Sequence, residues 1–176
     1  MKLIECVPNF SEGKDLNKIS LITTSIESVS GITLLDVDPG ADTNRTVITF
    51  VGPPENVIDA AFNSIQKAAE LIDMKLHSGA HARMGATDVC PFVPISNVTM
   101  EECVEYSKVL ADRVSSKLKI PIFLYEKSAT SKQRRNLAII RKGEFEGMSQ
   151  KLKDPKWKPD YGPIKPHPSA GVTAIG

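Results

Sequence analysis

The chain has 176 residues, 41% of them hydrophobic and 24% charged, with a formal net charge of +1. That length suits one domain with a tail, and the apolar fraction can supply a core. Near-neutral charge gives no electrostatic case for a nucleic-acid or membrane partner, and no apolar run is long enough to span a bilayer. The three cysteines (Cys6, Cys90, Cys103) lack C-x-x-C spacing, so they form neither a disulfide framework nor a zinc site. No charged and apolar leader opens the chain, which makes a reducing, cytoplasmic setting the expectation.

Residues 2–7 read as a short strand, broken by Pro8-Asn-Phe-Ser-Glu-Gly13. Leu16, Ile19, Ile22, Ile26 and Val29 recur at helical spacing, so a helix is predicted over 15–29, with Gly31 past its end. A second strand over 32–37 ends in Asp38-Pro-Gly40, read as a turn, and 41–45 reads as a polar loop. The β-branched run 46–51 is a third strand. A helix starting at the Gly52-Pro-Pro-Glu55 punctuation runs to about 73.

Residues 87–95 form an extended segment, and Pro91 and Pro94 make it an edge or irregular strand. Thr99-Met-Glu-Glu102 is a capping box that opens a helix over 100–119. Residues 121–125 are the last predicted strand. A short basic helix follows over 131–142, with another turn or two over 144–152. Prolines 155, 159, 163, 166 and 168 make 154–176 loop-like. The order implies an α+β fold of the ferredoxin-like kind, βαββαβ plus an extra helix and strand. Its mixed sheet would carry helices on one face.

The chemistry concentrates in His77-Ser-Gly-Ala-His81-Ala-Arg83-Met-Gly-Ala-Thr-Asp88-Val-Cys90-Pro-Phe92. Reactive groups on a loop between rigid elements are a common way to build a site. A histidine there exchanges protons near neutral pH, and an arginine can hold a carboxylate in a fork. The bland alternative is a solvated loop histidine. His77 and His81 also stand at H-x-x-x-H spacing, but Ser78-Gly79 between them argues against the helix a metal pair needs, and no metal site is expected.

Asp38 is either a strand-end carboxylate within reach of this loop or the start of the Pro39-Gly40 turn. Asn9 to Gly13 can offer backbone N–H groups to a ligand or simply lead into the helix. Cys90, between Val89 and Pro91, reads as an inert buried thiol. Lys132, Arg134 and Arg135 read as a solvated basic face, or as an attraction for a polyanionic ligand tail.

Several long stretches carry a resemblance. Glu5-Cys-Val-Pro-Asn-Phe-Ser-Glu-Gly13, Leu35-Asp-Val-Asp38, Asn44-Arg-Thr-Val47, Phe50-Val-Gly-Pro-Pro-Glu55 and the His77–Phe92 stretch together resemble glutamate formimidoyltransferase, a family of histidine breakdown often fused to a cyclodeaminase. The resemblance implies that residues 1–153 are the N-terminal subdomain of the transferase. It makes 154–176 a proline-rich tail with a folate-binding loop, and leaves the family's second subdomain out of this sequence.

It further implies a catalytic His81 supported by Asp38 and Arg83. The folate contacts would be Gly162, Pro163, Ile164, Lys165, Pro166, His167, Pro168, Ser169, Ala170 and Gly171. Ala82 stands where the family has proline. The implied activity moves a formimino group from N-formimino-L-glutamate to tetrahydrofolate, a co-substrate, by general acid–base catalysis without metal. The implied assembly is a homodimer, with the second subdomain as a separate partner chain if the gene is split. The alternative is a non-catalytic folate- or partner-binding half-domain.

Overall fold

The computed structural model describes all 176 residues. Strands β1 (Leu3–Cys6) and β2 (Asn9–Phe10) run along the same side of β4 (Arg45–Gly52), antiparallel to it. Their register is continuous across Val7-Pro8. Cys6 faces Phe50 and Asn9 faces Val47, and the Ile48 N–H donates to the Pro8 carbonyl between them. The chain from 3 to 10 therefore acts as one strand, of which the sequence reading caught only the first half. A Pro-Asn-Phe run looks like a loop when its pairing partner is not in view.

Strands β5 (Thr87–Cys90) and β6 (Phe92–Ser96) line the opposite side of β2 and β1, also antiparallel. They are the two halves of the extended segment predicted over 87–95. The β6 half, with Pro94, lies at the sheet edge, where a missing N–H costs no ladder bond. The β5 half is interior, because β8 (Thr173–Ile175) pairs with it in parallel. Strand β7 (Ile122–Leu124) pairs in parallel with the far side of β8. Strand β3 (Thr33–Gly40) closes the other edge against β4. The result is a mixed open sheet of eight strands in an α+β fold, as expected.

Two readings are corrected. The Asp38-Pro-Gly40 stretch is not a turn: β3 continues through Gly40, and the chain turns over 41–44 instead. The loop-like reading of 154–176 fails at its end, where Thr173–Ile175 is a fully buried strand. Proline density masked a three-residue strand whose partners lie far away in sequence.

Helices α1 (Leu16–Glu27), α2 (Pro54–Leu71) and α3 (Met100–Leu118) pack on one face of the sheet. Each forms for a local reason. Asp15 caps α1 by accepting from the Asn17 and Lys18 N–H groups, Pro54 opens α2, and Thr99 and Glu102 make the anticipated capping box on α3. Ile22 and Ile26 of α1, Val57, Ala61 and Ile65 of α2, and Leu110 and Val114 of α3 meet Ile4, Cys6, Ile48 and Phe50 from the sheet. Burying a large apolar side chain of this kind contributes about 1.5–3 kcal/mol.

The opposite face is only partly covered. Alternation along the strands sends Val89, Phe123 and Ala174 to that side. There Ile140 of α4 (Leu137–Arg141), Met148 of α5 (Glu144–Lys151) and Leu152 pack on them in a second, smaller core. This second layer covers the β5–β8–β7 end alone. Over β3 and β4 the same face carries exposed Thr33, Asp36 and Asp38 and half-buried Val47, Thr49 and Val51. No helix is long and apolar enough to cross a membrane.

Candidate active site

Cross-strand register decides which side chains meet on the uncovered face. Asp38 of β3 stands opposite Val47 of β4, and Val47 opposite Asn9 of β2. Two residues along β4, on the same face, Arg45 stands opposite Gly40. The His81 loop closes over this corner. Asn9, Asp38, Gly40, Thr43, Arg45, Val47 and His81 line a cleft of about 270 Å³.

The loop is held in place by straps. The Ala80 N–H donates to the Asp42 carbonyl at 3.1 Å, and the Asn44 side-chain amide donates to the Ser78 carbonyl at 3.0 Å. Asn44 Oδ1 also accepts from the Gly13 N–H, so one side chain joins three loops. Gly79 is what permits the approach: a Cβ there would lie 2.3 Å from the Thr43 carbonyl oxygen.

His81 is half-exposed, and its Nδ1 lies 2.6 Å from the Ala82 carbonyl oxygen. A carbonyl only accepts, so Nδ1 carries the hydrogen. In the neutral ring Nε2 then holds the lone pair, the atom that can take up a proton. Asp38 shares the cleft but makes no hydrogen bond to the ring. The expected aspartate–imidazole contact is replaced by the Ala82 carbonyl.

His77 is the opposite case. Its Nε2 donates to the Asn44 carbonyl at 2.9 Å, and its Nδ1 accepts from Arg83 Nε at 3.0 Å. Burial holds its pKa below the usual histidine value. Both nitrogens are spent.

Arg83 does not line the His81 cleft. It is buried, and every N–H of its guanidinium has a partner. Nε donates to His77 Nδ1, Nη1 to Glu144 and Glu146, and Nη2 to the His77 carbonyl and Glu146. The hydrogen bond to Glu146 raises the Arg83 pKa, and Arg83 pulls the Glu146 carboxyl down to about 2. Of the three residues anticipated together, the fold brings Asp38 and His81 to one cleft and sends Arg83 away from it.

The arginine in the cleft is Arg45, at the end of the 41–45 stretch that reads as a polar loop and is the first residue of β4. Nε donates to Asn9 Oδ1 and Nη1 to Asp88 Oδ2, both at 3.0 Å. Asp88 is fully buried. It also accepts from Arg141 Nη2 at 2.6 Å and, through Oδ1, from the Met84 N–H at 2.7 Å. The signal that could have found Arg45 was its place one residue before a β-branched strand, two residues from the Val47 that faces Asp38.

Of the two readings of Asn9 to Gly13, the structure favours the plain lead into the helix: Ser11 N–H donates to the Ala86 carbonyl and Gly13 N–H to Asn44. Cys90 is buried as anticipated, with its sulfur 3.5 Å from that of Cys6. Arg134 is not a solvated basic residue. It pairs with Asp160 at 2.8 Å and lies over the rings of Phe123 and Trp157.

The 162–171 loop docks on the other side of the His81 stretch. The Ala86 N–H donates to the Ala170 carbonyl and the Met74 N–H to the Ser169 carbonyl. Gly85 lets the strands touch, since a Cβ there would meet the Val172 carbonyl oxygen. His167 is fixed within the loop through Nδ1, which accepts from the Ala170 N–H at 3.0 Å. Ile164 and Lys165 are exposed.

Residues 3–176 match the family model described as the formiminotransferase domain, N-terminal subdomain. The chain belongs to this family. This formiminotransferase subdomain is 55% identical over 175 residues to the formimidoyltransferase-cyclodeaminase of Dictyostelium discoideum, covering 99% of this chain and 33% of the relative. It is 54% identical over 175 residues to the glutamate formimidoyltransferase of Streptococcus pyogenes serotype M1, covering 99% of this chain and 58% of the relative. It is 46% identical over 178 residues to the glutamate formimidoyltransferase of Thermoplasma acidophilum, again covering 58% of the relative. The formiminotransferase subdomain thus spans between 33% and 58% of these relatives' length.

Proposed function

We propose that this subdomain carries the proton-transfer half of a site moving a formimino group from N-formimino-L-glutamate to N5 of tetrahydrofolate. The observation that carries the reading is His81: Nδ1 is fixed by the Ala82 carbonyl and Nε2 is left free in a cleft shared with Asp38. In the reaction, N5 attacks the formimino carbon and must lose a proton. The departing glutamate nitrogen must gain one. A single imidazole serves both, Nε2 taking the proton from N5 and passing it to the leaving nitrogen. Asp38, across the cleft, stabilises the imidazolium that forms between the two steps.

The exposed Ile164 and Lys165 of the 162–171 loop offer an apolar surface and a cation, which suit a folate with its anionic glutamate end. The same reading includes a homodimer and a cytoplasmic setting. A second reading, a folate- or partner-binding half without turnover, draws on the same exposed Ile164 and Lys165.

The test is formimino transfer by the purified chain, alone and with a second-subdomain polypeptide added, using His81→Ala beside the parent. The expected result is turnover in the assembled sample, reduced about 10²–10⁴-fold by His81→Ala, with the thermal midpoint unchanged. Undiminished turnover in the variant removes His81 from the mechanism. Binding without turnover in both samples favours the second reading.

A further inference from the structure

We infer that the cleft beside His81 is a carboxylate-binding site anchored by Arg45. The inference rests on the proposed function only in naming the carboxylate as that of the formimino donor's glutamate half.

Asp88 is the one carboxylate paired with Arg45 and also the one paired with Arg141. Two guanidinium groups sharing one buried carboxylate leave a net charge of about +1 unbalanced, and buried unbalanced charge is costly. A second sign of incomplete pairing lies in the same cluster: Arg141 Nε is buried with no hydrogen-bond partner. Burial lowers the Arg45 pKa, with the nearby Arg141 charge acting in the same direction.

The direction in which this charge is available follows from the hydrogen bonds. Asn9 holds Nε and Asp88 holds Nη1, so the guanidinium plane is fixed. Nη2 has no partner in the protein, and the residue, only 9% exposed, borders the cleft. Asp38 lies on the same face but forms no ion pair with it. Gly40, opposite Arg45, places no side chain over it. What remains is a fixed, partly dehydrated donor edge beside the imidazole, with the Asn9 amide and Thr43 hydroxyl on the same wall. A carboxylate seated there would supply the missing negative charge and be held by charge-assisted hydrogen bonds. An amino dicarboxylate bound in this way has its nitrogen-bearing end free to lie against His81.

The experiment is an NMR titration of the full chain with L-glutamate, following the His81 ring and Arg45 Nε–H signals. The parent should show saturable shifts at both. Arg45→Gln should weaken binding about 10–100-fold, the size of a lost charged hydrogen bond. Arg45→Lys, which keeps a charge for Asp88 but loses the fork, should remain folded and still bind at least several-fold more weakly. Arg134→Gln, far from the cleft, should bind like the parent. Equal affinity in folded Arg45→Lys and parent overturns the inference, as does absence of shifts at His81 in the parent. The two readings fail separately. If His81→Ala retains transfer while the Arg45 variants lose glutamate, the acid–base assignment falls and the carboxylate site stands. The reverse pattern removes the carboxylate site alone.

Discussion

Two sets of one arginine and one histidine, joined through the 77–83 loop, have opposite character. Arg83 and His77 form a closed set: five guanidinium N–H groups and both imidazole nitrogens are all matched, with Glu144 and Glu146 completing the charge. Arg45 and His81 form an open set: each has one end fixed by the protein and the other end turned to a cleft. A matched group spends its interactions on holding loops together. A group fixed at one end and free at the other is ready for a ligand without further ordering cost. Residue type does not separate the two pairs; partner count does.

The sharpest way to break the contrast is at Asp88, which supports the open set from below. Asp88→Asn should strip two buried arginines of their only carboxylate and cost about 3–5 kcal/mol in urea unfolding. A loss under 1 kcal/mol would mean that water already screens the cluster.

Arg83→Met tests the closed set. Its glutamate partners are largely exposed and can be rehydrated, so the loss should be smaller, about 1–3 kcal/mol. It should come with faster hydrogen exchange over 77–83.

The smallest effect is a pH slope. The folded-state pKa of His77 lies below its ordinary 6.5, so the native chain binds fewer protons than the unfolded one just below that pH. Stability should be complete above 6.5 and fall as pH drops from there toward the lowered folded value. His77→Gln should flatten part of this slope, leaving the share owed to His167, whose pKa is also lowered by burial. A slope identical to the parent's would place His77 in solvent.

Much of the architecture was legible because its signals are local. The helix periodicities, the Thr99–Glu102 box and the glycine past α1 specify ends and faces without help from distant residues. The His81 loop stood out for the same reason, as a dense run of reactive types between two regular elements. What stayed hidden depends on pairing across the chain. Asn9-Phe10 is a strand only because β4 and β5 flank it. Asp38 points into the cleft only because β3 runs on past it. Arg83 looked like a ligand residue because Glu144 and Glu146, which absorb it, lie some sixty positions on. Arg45 looked like loop filler because Asp88, which fixes it, lies in another strand.

The placement of β8 has a consequence for how the chain is made. It is made after β5 and β7, yet it sits between them and supplies the only strand partner of β7. The half built from β1, β3, β4 and β6 with its helices can assemble while translation continues. The β5–β7 end cannot, because Val172 and Ala174 also belong to the small core under α4 and α5. Until those residues emerge, two bare strand edges face solvent or a chaperone, the state in which nascent sheets most readily find the wrong neighbour.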